Sequence, residues 1–375
     1  MRDLLSCFLG FLAFRRAFFF IHIIHYTTAM QPEETHLTLY RKYRPQKFSE
    51  VLGQEHITKV LEASIKNKKI AHAYIFAGTR GTGKTSTARI FGKALSISPN
   101  DTYEIDAASN RGIDEIRALR EAVHTMPYES PYKLYILDEA HMLTKDAWNA
   151  LLKTIEEPPS HVLFIFATTE AEKIPETIHS RCETYVFKKP TREVLKKVLT
   201  DIAKQEGYTL PAASAELITL LAEGSFRDAE SVLQKVISAS KDRTIDPEEV
   251  ELVTGAPKAA LLNQFLQALD AKNPATALAT LAKGVTQGMD MKTFGKLLLE
   301  RMRAVLLLRF AKDMEATLAK EYTEADFEVL QTISKNAGSA INASCLLEFL
   351  NAHEMVAYAA VPSLPLELAV IKVTS

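Results

Sequence analysis

Cysteine is scarce in this chain, and the few cysteines present are too far apart to act together. Among 375 residues there are three, Cys7, Cys182 and Cys345, and no two of them form a C-x-x-C pair. This spacing excludes a disulfide framework and a cysteine-rich metal site, and it favours a reducing compartment such as the cytoplasm.

An excess of charge of either sign is also lacking. The chain has 45 lysines and arginines against 46 aspartates and glutamates. A nearly neutral protein has no bulk attraction for nucleic acid, so any contact with it must come from a local patch. The length allows two or three domains, each with its own core, and we find no internal repeat or low-complexity segment.

A hydrophobic run long enough to cross a membrane as a helix is missing as well. The first 29 residues are aromatic and apolar, but Arg15 and Arg16 divide them into runs shorter than the ~20 residues that a bilayer requires. No small-residue cleavage pattern typical of a signal peptide stands out. We interpret residues 1–36 as an N-terminal extension, either disordered or produced by a misassigned start codon, and expect no membrane partner. An amphipathic anchor at a membrane surface is the alternative.

One eight-residue segment has the spacing of a phosphate-binding loop, G-x-x-x-x-G-K-[ST]. Its residues are Gly78, Thr79, Arg80, Gly81, Thr82, Gly83, Lys84 and Thr85. An apolar predicted strand precedes it and a helix-prone segment follows, so backbone N–H groups and a helix N-terminus can face phosphate oxygens. We expect Lys84 to neutralise the β- and γ-phosphates of ATP and the Thr85 hydroxyl to hold Mg²⁺.

Apolar segments of strand length alternate with helical segments after residue 37. Strands are predicted at 73–77, 103–106, 133–137, 162–167 and 183–187, and helices at 54–68, 84–95, 113–124 and 145–156. This alternation predicts an α/β domain with a parallel sheet covered on both faces. After residue 190 the pattern indicates helices only, at 192–206, 214–223, 226–240 and 247–253, then an all-helical block whose longest helix spans 291–314.

Two carboxylates, Asp138 and Glu139, directly follow an apolar predicted strand. We expect this strand to lie beside the loop strand, with Asp138 in the Mg²⁺ shell and Glu139 facing a water near the γ-phosphate. A carboxylate that polarises water suits a hydrolase better than a passive nucleotide binder. Residues 138–141 also spell the Asp-Glu-Ala-His box of one helicase superfamily, but the all-helical C-terminal half leaves no room for a second α/β motor domain.

Three further positions fit the same site, each with an alternative. Thr169 ends the next predicted strand, where its hydroxyl can bond the γ-phosphate and the attacking water, although threonine is also ordinary in strands. Arg181 is either a surface arginine or a finger presented to the neighbouring subunit's γ-phosphate. Arg227 lies in the first turn of a helix, where its charge is offset either by nucleotide phosphate or by Asp228 or Glu230.

Several longer segments match one known family. They make the chain similar to the bacterial DNA polymerase III gamma/tau subunits, the AAA+ ATPases of the replicative clamp loader, from about residue 37 to the C-terminus. The matching segments are 40–45, 51–54, 78–85, 104–114, 137–143, 149–154, 156–159, 167–170, 180–182 and 224–229.

The resemblance implies both an architecture and a function. It implies an AAA+ phosphate-loop ATPase domain at 37–190, a helical lid at 191–255 and an all-α collar for oligomerisation at 256–375. The implied function is ATP hydrolysis in a hetero-oligomeric ring that opens a sliding clamp and loads it on primed DNA. Such a ring is part of the DNA-directed DNA polymerase III holoenzyme, a nucleotidyltransferase.

The resemblance also implies roles for individual residues. In the family's terms, Thr169 is sensor 1, Arg181 the finger that acts in trans and Arg227 sensor 2. Arg44 and Pro45 would lie near the adenine.

The chain departs from the family pattern in two places. Members usually carry a four-cysteine zinc insert after the loop helix, whereas only residues 96–102 fill that gap here, so we expect no zinc. The sequence also stops after the collar, so the polymerase and helicase contacts of the tau extensions are not carried over.

Two helix starts offer a local contact to the DNA backbone. Arg111 precedes the helix at 113–124, and Thr144 is expected to cap the helix at 145–156. N–H groups at both ends can face a phosphate without reading sequence, although ordinary capping with a solvent-facing arginine is the alternative.

Other interpretations remain within and outside the clamp-loader family. A replication factor C small subunit and a delta-prime-like subunit are the nearest, but delta-prime relatives generally lack a complete phosphate loop, and residues 107–110 favour gamma/tau over replication factor C. A catalytically silent ring scaffold is the third alternative. The intact Lys84, Asp138 and Glu139 argue against it.

Overall fold

The computed structural model describes residues 37–110, 112–319 and 321–374. The chain divides into two compact units, Met1–Lys42 and Tyr43–Ser375. In the first unit the described residues form the short helix α1, Leu39–Lys42. The predicted extension at 1–36 and the predicted DNA contact at Arg111 lie outside the described residues.

A five-stranded parallel sheet forms the N-terminal half of the second unit. Its order is β2-β3-β4-β1-β5. All of β1 and β4 is buried, whereas the edge strands β2 and β5 are mostly exposed. The apolar runs of the sequence therefore belong to central strands that are covered on both faces, and the predicted α/β class is confirmed. The strands are β1 (Ala73–Ala77), β2 (Thr102–Asp106), β3 (Lys133–Asp138), β4 (Val162–Thr168) and β5 (Glu183–Val186).

Helices cover the sheet on both faces and create two apolar cores. One core contains Trp148 of the helix at 145–156, and the other contains Phe91 of the helix at 84–94. The helices of this half are α2 (Glu55–Lys66), α3 (Lys84–Ala94), α4 (Ile113–Val123), α5 (Lys145–Glu156) and α6 (Glu176–His179).

The predicted position of the Asp138 strand is wrong. We expected β3 beside β1, but β4 lies between them. The functional residues still meet because α3 packs directly on β3. A Cβ atom on Gly92 of α3 would lie only 2.6 Å from Leu134 Cδ2 of β3. The helix thus carries Thr85 past β4 to the end of β3. Alternation of strands and helices indicates parallel strands, but it does not give their order.

Among the residues that the structure describes after β5, regular structure is helical, apart from a single bridge between Thr209 and Thr244. Its C-terminal core centres on Phe265, whose ring lies 5.4 Å from Phe294 and 6.0 Å from Phe349 between centroids. The helices are α7 (Arg192–Gln205), α8 (Ala212–Leu221), α9 (Phe226–Ala239), α10 (Pro247–Thr254), α11 (Ala259–Asp270), α12 (Pro274–Thr286), α13 (Met291–Phe310), α14 (Glu315–Leu318), α15 (Glu324–Lys335), α16 (Ala343–Val356) and α17 (Leu364–Thr374).

Helix α13 is shorter than predicted. It ends at Phe310 instead of residue 314, and Lys312–Met314 form a separate 3-10 turn. The buried stripe of the helix ends at Leu308, and Phe310 is 79% exposed. Packing therefore supports no further turn. In the described part of the chain, no helix is long and apolar enough to span a membrane.

Candidate nucleotide-binding and hydrolysis site

The predicted phosphate loop connects β1 to α3 through a tight bend. Three of its glycines have positive φ angles, 150° at Gly78, 72° at Gly81 and 99° at Gly83, which side chains disfavour. Two of them also lack space for a Cβ atom, which would lie 2.6 Å from Phe187 O at Gly78 and 2.0 Å from Ser225 Oγ at Gly81. The loop is therefore packed from two sides in a shape that needs glycine.

Lys84 points into this loop. Its Nζ donates to the carbonyl oxygens of Gly78 at 2.7 Å and Thr79 at 3.0 Å, and the side chain is buried. Burial lowers the pKa of the Lys84 ammonium, whereas Glu139 and Asp138 act in the opposite direction. The loop thus holds a cation where phosphate oxygens would meet backbone N–H groups.

The other loop residues have simpler surroundings. The Thr82 hydroxyl is buried and donates to Thr79 O at 2.8 Å, which closes the loop internally. Thr79 and Arg80 are exposed. They lie at the outer edge of the loop.

Thr85 and Asp138 meet directly. The Thr85 hydroxyl donates to Asp138 Oδ2 at 2.8 Å, and the Glu139 backbone N–H donates to the other carboxylate oxygen at 3.0 Å. A hydroxyl and a carboxylate are the hard oxygen ligands that Mg²⁺ takes beside substrate phosphates. The two residues that we predicted as metal ligands therefore fit that ion.

Glu139 and Thr169 also meet, at the ends of the neighbouring strands β3 and β4. The Thr169 hydroxyl donates to Glu139 Oε2 at 3.3 Å. Glu139 has a left-handed backbone, with φ 49° and ψ 43°, which is uncommon for a residue with a side chain and is concentrated at functional sites. The strand end therefore turns sharply where the predicted base is placed.

Arg227 lies beside the phosphate loop. It is in the first turn of α9, which Ser225 caps by accepting from the Asp228 N–H, and the Phe226 N–H donates to Gly81 O at 3.0 Å. A Cβ on Gly81 would lie 3.4 Å from Arg227 Cβ. The start of α9 and the loop are thus in direct contact.

Arg44 and Pro45 lie near the same helix. Burial raises the pKa of Glu230 on α9 to about 7, and the nearby charge of Arg44 opposes that shift. Tyr43, one residue earlier, donates from its hydroxyl to Glu206 Oε1 at 2.5 Å. Pro45 is half-buried. These contacts place the segment against α9 and the end of α7.

Arg181 contacts residues outside the phosphate loop of its own chain. Its guanidinium forms an ion pair with Glu156 Oε1 at 2.7 Å and donates to Thr177 O at 2.7 Å and to Ser180 Oγ at 3.0 Å. Within the described residues none of these partners belongs to the loop, and the side chain is 37% exposed.

Thr144 is placed as a helix cap, as predicted. Its hydroxyl accepts from the Ala147 N–H at 3.2 Å at the start of α5, and the residue is exposed. This is ordinary capping geometry. The predicted DNA contact at Thr144 remains a prediction.

Two residues of the sheet domain escaped the sequence analysis, one at the site and one outside it. His141 lies between the ends of β3 and β4, where it contacts Thr168 and Glu170. The only signal was the helicase-like spelling that we set aside. Asp101 accepts from the backbone N–H groups of residues 128, 129 and 130 at 2.6, 3.0 and 2.9 Å, which fixes the loop that exposes Met126 and Tyr128. No local pattern marks it.

Metal ligation elsewhere has no obvious candidate. Across residues 37–110, 112–319 and 321–374, no group of three or more histidine, cysteine, aspartate or glutamate side chains is placed to hold an ion. Cys182 and Cys345 are free thiols, and burial raises the pKa of each to about 12. Such thiols are unreactive near neutral pH.

Comparison with known proteins gives consistent matches along the chain. A family model described as DNA polymerase III, delta subunit, matches residues 53–110 and 97–191, and one described as DNA polymerase III subunits gamma and tau domain III matches 245–375. DNA polymerase III subunit tau of Bacillus subtilis is 39% identical over 89% of this chain and 62% of its own length. DNA polymerase III subunit gamma of Buchnera aphidicola is 36% identical over 65% of this chain and 74% of its own length.

The chain spans only part of the longer relatives, 62% of the Bacillus subtilis protein and 52% of a Mycobacterium tuberculosis gamma/tau subunit. Among solved structures, the Thermotoga maritima RuvB branch migration motor is 20% identical with a TM-score of 0.49, covering 66% of this chain and 86% of that one.

Proposed function

Because the chain belongs to the DNA polymerase III gamma/tau family, we propose that it is an ATP-hydrolysing subunit of a replicative clamp loader. In this role it opens a sliding clamp and releases it around primed DNA. The observation that carries the proposal is the cluster at the strand ends, where Lys84 lies in the loop, Thr85 contacts Asp138 and Thr169 contacts Glu139.

Each residue of this cluster has a distinct task in the proposed reaction. Lys84 pairs with the β- and γ-phosphates of ATP, and Thr85 and Asp138 hold Mg²⁺, which when bound neutralises charge on those phosphates. Glu139 polarises the attacking water, while the Thr169 hydroxyl orients the Glu139 carboxylate through their 3.3 Å hydrogen bond. Hydrolysis then follows from positioning and charge stabilisation.

The helical segment after the sheet serves as a lid over the nucleotide. The hydrogen bond from the Phe226 N–H to the Gly81 carbonyl oxygen connects the start of α9 to the phosphate loop. A change in the conformation of the loop would therefore move the helix that carries Arg227. We assign residues 37–190 to the ATPase domain, 191–255 to the lid and 256–375 to the collar. In this arrangement Arg227 meets the γ-phosphate, and Arg44 and Pro45 flank the adenine.

The collar joins subunits into a hetero-oligomeric ring. Its last two helices, α16 and α17, expose several large apolar side chains to solvent, and such exposure is typical of surfaces that bind another protein. They are Leu347, Leu350, Met355, Leu364, Leu368 and Ile371. In such a ring Arg181 reaches the neighbour's γ-phosphate, which is supported by its contacts with Glu156 and Thr177 outside its own loop.

The remaining partners are a sliding clamp and the backbone of primed DNA. The near-zero net charge means that DNA is held locally, by Arg111 and by the helix start at Thr144, without base recognition. We place the protein in the cytoplasm, within the DNA polymerase III holoenzyme, and assign it ATP and Mg²⁺ but no zinc.

A delta-prime-like subunit is the second candidate, because a delta-subunit family model matches residues 53–191. The complete phosphate loop and its contacts to Asp138 argue for the catalytic type instead. A silent ring scaffold would have no use for a buried lysine beside two carboxylates. An ATPase assay distinguishes these alternatives.

The full chain, mixed with its host's clamp and other loader subunits, should hydrolyse ATP faster when primed DNA is added than when unprimed duplex is added. Lys84→Ala in the same mixture is the matched control for contaminating ATPases. A rate that is equal for wild type and Lys84→Ala would contradict the proposed function.

A further inference from the structure

His141 is a polar residue of the Asp138–His141 segment to which the proposed function gives no task. Its side chain is 7% exposed. Its Nδ1 lies 3.1 Å from Thr168 Oγ1 and 3.5 Å from Glu139 Oε2, and its Nε2 lies 3.2 Å from Glu170 Oε1. The ring therefore sits between the predicted base and a second carboxylate.

The surrounding bonds give each ring nitrogen its own partner. Thr168 Oγ1 already accepts from the Glu170 backbone N–H at 3.0 Å, so its own hydrogen is available for His141 Nδ1. An ionised Glu170 can only accept, so Nε2 carries the ring hydrogen. Lys173 Nζ forms an ion pair with the other oxygen of Glu170 at 2.7 Å, and this pair fixes the carboxylate that contacts the ring.

This assignment decides how His141 acts on Glu139. With Nδ1 facing the Thr168 hydroxyl, the ring packs against the Glu139 carboxylate, whose Oε2 lies 3.5 Å away. The hydroxyl of Thr169 is the donor to that same oxygen. The ring thus occupies the space on one side of the carboxylate, and the Thr169 hydroxyl is the hydrogen-bond donor to it.

We propose that His141 is a positioning residue that keeps the Glu139 carboxylate beside Thr169 in an orientation that can polarise water. This inference rests on the proposed ATP hydrolysis and adds to it. It requires that loss of the ring impairs the hydrolytic step and leaves nucleotide binding, which depends on Lys84, intact. Glu170 and Lys173 act through His141 and have no contact with the loop among the described residues.

The test uses the full chain assembled with its host's loader subunits, with kcat measured at saturating ATP and Kd measured with a fluorescent ATP analogue. His141→Ala should lower kcat roughly tenfold to a hundredfold, because the Thr168 hydroxyl and the Glu170 carboxylate lose the ring nitrogens they contact and the Glu139 carboxylate is free to turn, while Kd changes less than about twofold. His141→Gln retains an N–H donor for Glu170 and should recover part of kcat. His161→Ala is the matched control, since His161 Nε2 also bonds within this domain, to the Val123 and Thr125 carbonyls, but away from the site.

Several outcomes would overturn the inference. These are an unchanged kcat in His141→Ala, a loss of ATP affinity as large as the loss of kcat, or an equal loss of kcat in His161→Ala. If His141→Ala does not fold, two other variants test the proposal: His141→Gln keeps a polar group near the Nε2 position, and His141→Asn keeps one near the Nδ1 position. The two variants must then differ in kcat at equal Kd. Wild-type rates in both variants would refute the proposal. A wild-type ring without ATPase would refute the proposed function itself, so the two failures are distinguishable.

Discussion

The sheet domain and the C-terminal helical block each bury a cation, but they surround it differently. In the sheet domain, Lys84 Nζ is hydrogen-bonded to two neutral carbonyl oxygens of the phosphate loop. In the helical block, Arg301 on α13 donates to Asp326 Oδ1 at 3.1 Å and to Asn263 Oδ1 at 2.6 Å. A cation bonded to neutral groups can still pair with an incoming anion, whereas a cation paired with a carboxylate mainly connects helices.

The same difference extends to the carboxylates. Asp138 accepts from the Thr85 hydroxyl in the first turn of α3, and Glu139 accepts from the Thr169 hydroxyl after β4, so each side-chain donor is a neutral group. Asp326 instead accepts from Arg301, Asn263 and Thr323 at once. We infer that the first cluster is built for chemistry and the second for stability.

The largest effect is expected from the two key residues of the first cluster. Lys84→Ala should abolish ATP binding because the phosphates lose their counter-charge, whereas Glu139→Gln should bind ATP and fail to hydrolyse it. Binding is measured with a fluorescent ATP analogue and hydrolysis by phosphate release. Equal loss of ATP affinity in both variants would contradict these roles, and melting temperatures near wild type would show that neither residue mainly supports the fold.

Arg181→Ala should bind ATP almost normally and hydrolyse it poorly in the assembled ring. A guanidinium supplied in trans contributes on the order of 10³–10⁵ in rate in other nucleotide hydrolases. Co-assembly with Lys84→Ala subunits is the direct check, because some mixed interfaces then contain both an intact loop and an intact finger. A mixture that co-assembles but recovers no activity would rule out the action in trans.

Asp326→Ala should cost about 3–5 kcal/mol of unfolding free energy, because it leaves Arg301 buried without its carboxylate. Chemical denaturation measures the difference. Glu328→Ala, an exposed position on the same helix α15, is the matched control and should change stability by less than about 0.5 kcal/mol. A similar small change in both variants would mean that the buried pair contributes little.

Acidification should act on the same pair. Burial alone would raise the pKa of Asp326, but Arg301 and the hydrogen bonds from Asn263 and Thr323 hold it below its ordinary value of 3.8. A depressed folded pKa gives stability that is complete above the ordinary value and is lost as the pH falls through the folded one. The stability gap between wild type and Asp326→Ala should therefore narrow below about pH 4, and a gap that widens would contradict this.

The smallest effect is expected from removing residues 1–29. The regular α/β pattern begins only near residue 37, so deletion should leave the melting temperature and the ATPase rate unchanged. A drop in melting temperature of many degrees would show that this segment packs on the rest of the protein.

The sheet domain was far more predictable than the helical block. Its buried strands and phosphate loop have strong local patterns, and the strands lie within two residues of their predicted bounds. The strand order was not predictable, because alternation of strands and helices does not determine which strands pair. His141 and Asp101 were missed because their partners are distant in sequence.

Arg301 shows the same limit in the helical block. Its charge interrupts an apolar stripe, which indicates a packing helix but not the identity of its partner 25 residues away. Tertiary contacts supply that information, and helical periodicity does not. The roles of Thr169, Arg181 and Arg227 likewise remain predictions, since they concern a nucleotide and a neighbouring subunit.

The central claim is that the strand-end cluster performs ATP hydrolysis for clamp loading. Its most direct test measures the transfer of a labelled clamp to primed DNA by rings with wild-type or Glu139→Gln subunits. We predict that both rings bind the clamp in the presence of ATP, and that only the wild-type ring hydrolyses ATP and releases the closed clamp on DNA. A Glu139→Gln ring that hydrolyses ATP and loads the clamp at the wild-type rate would contradict the account.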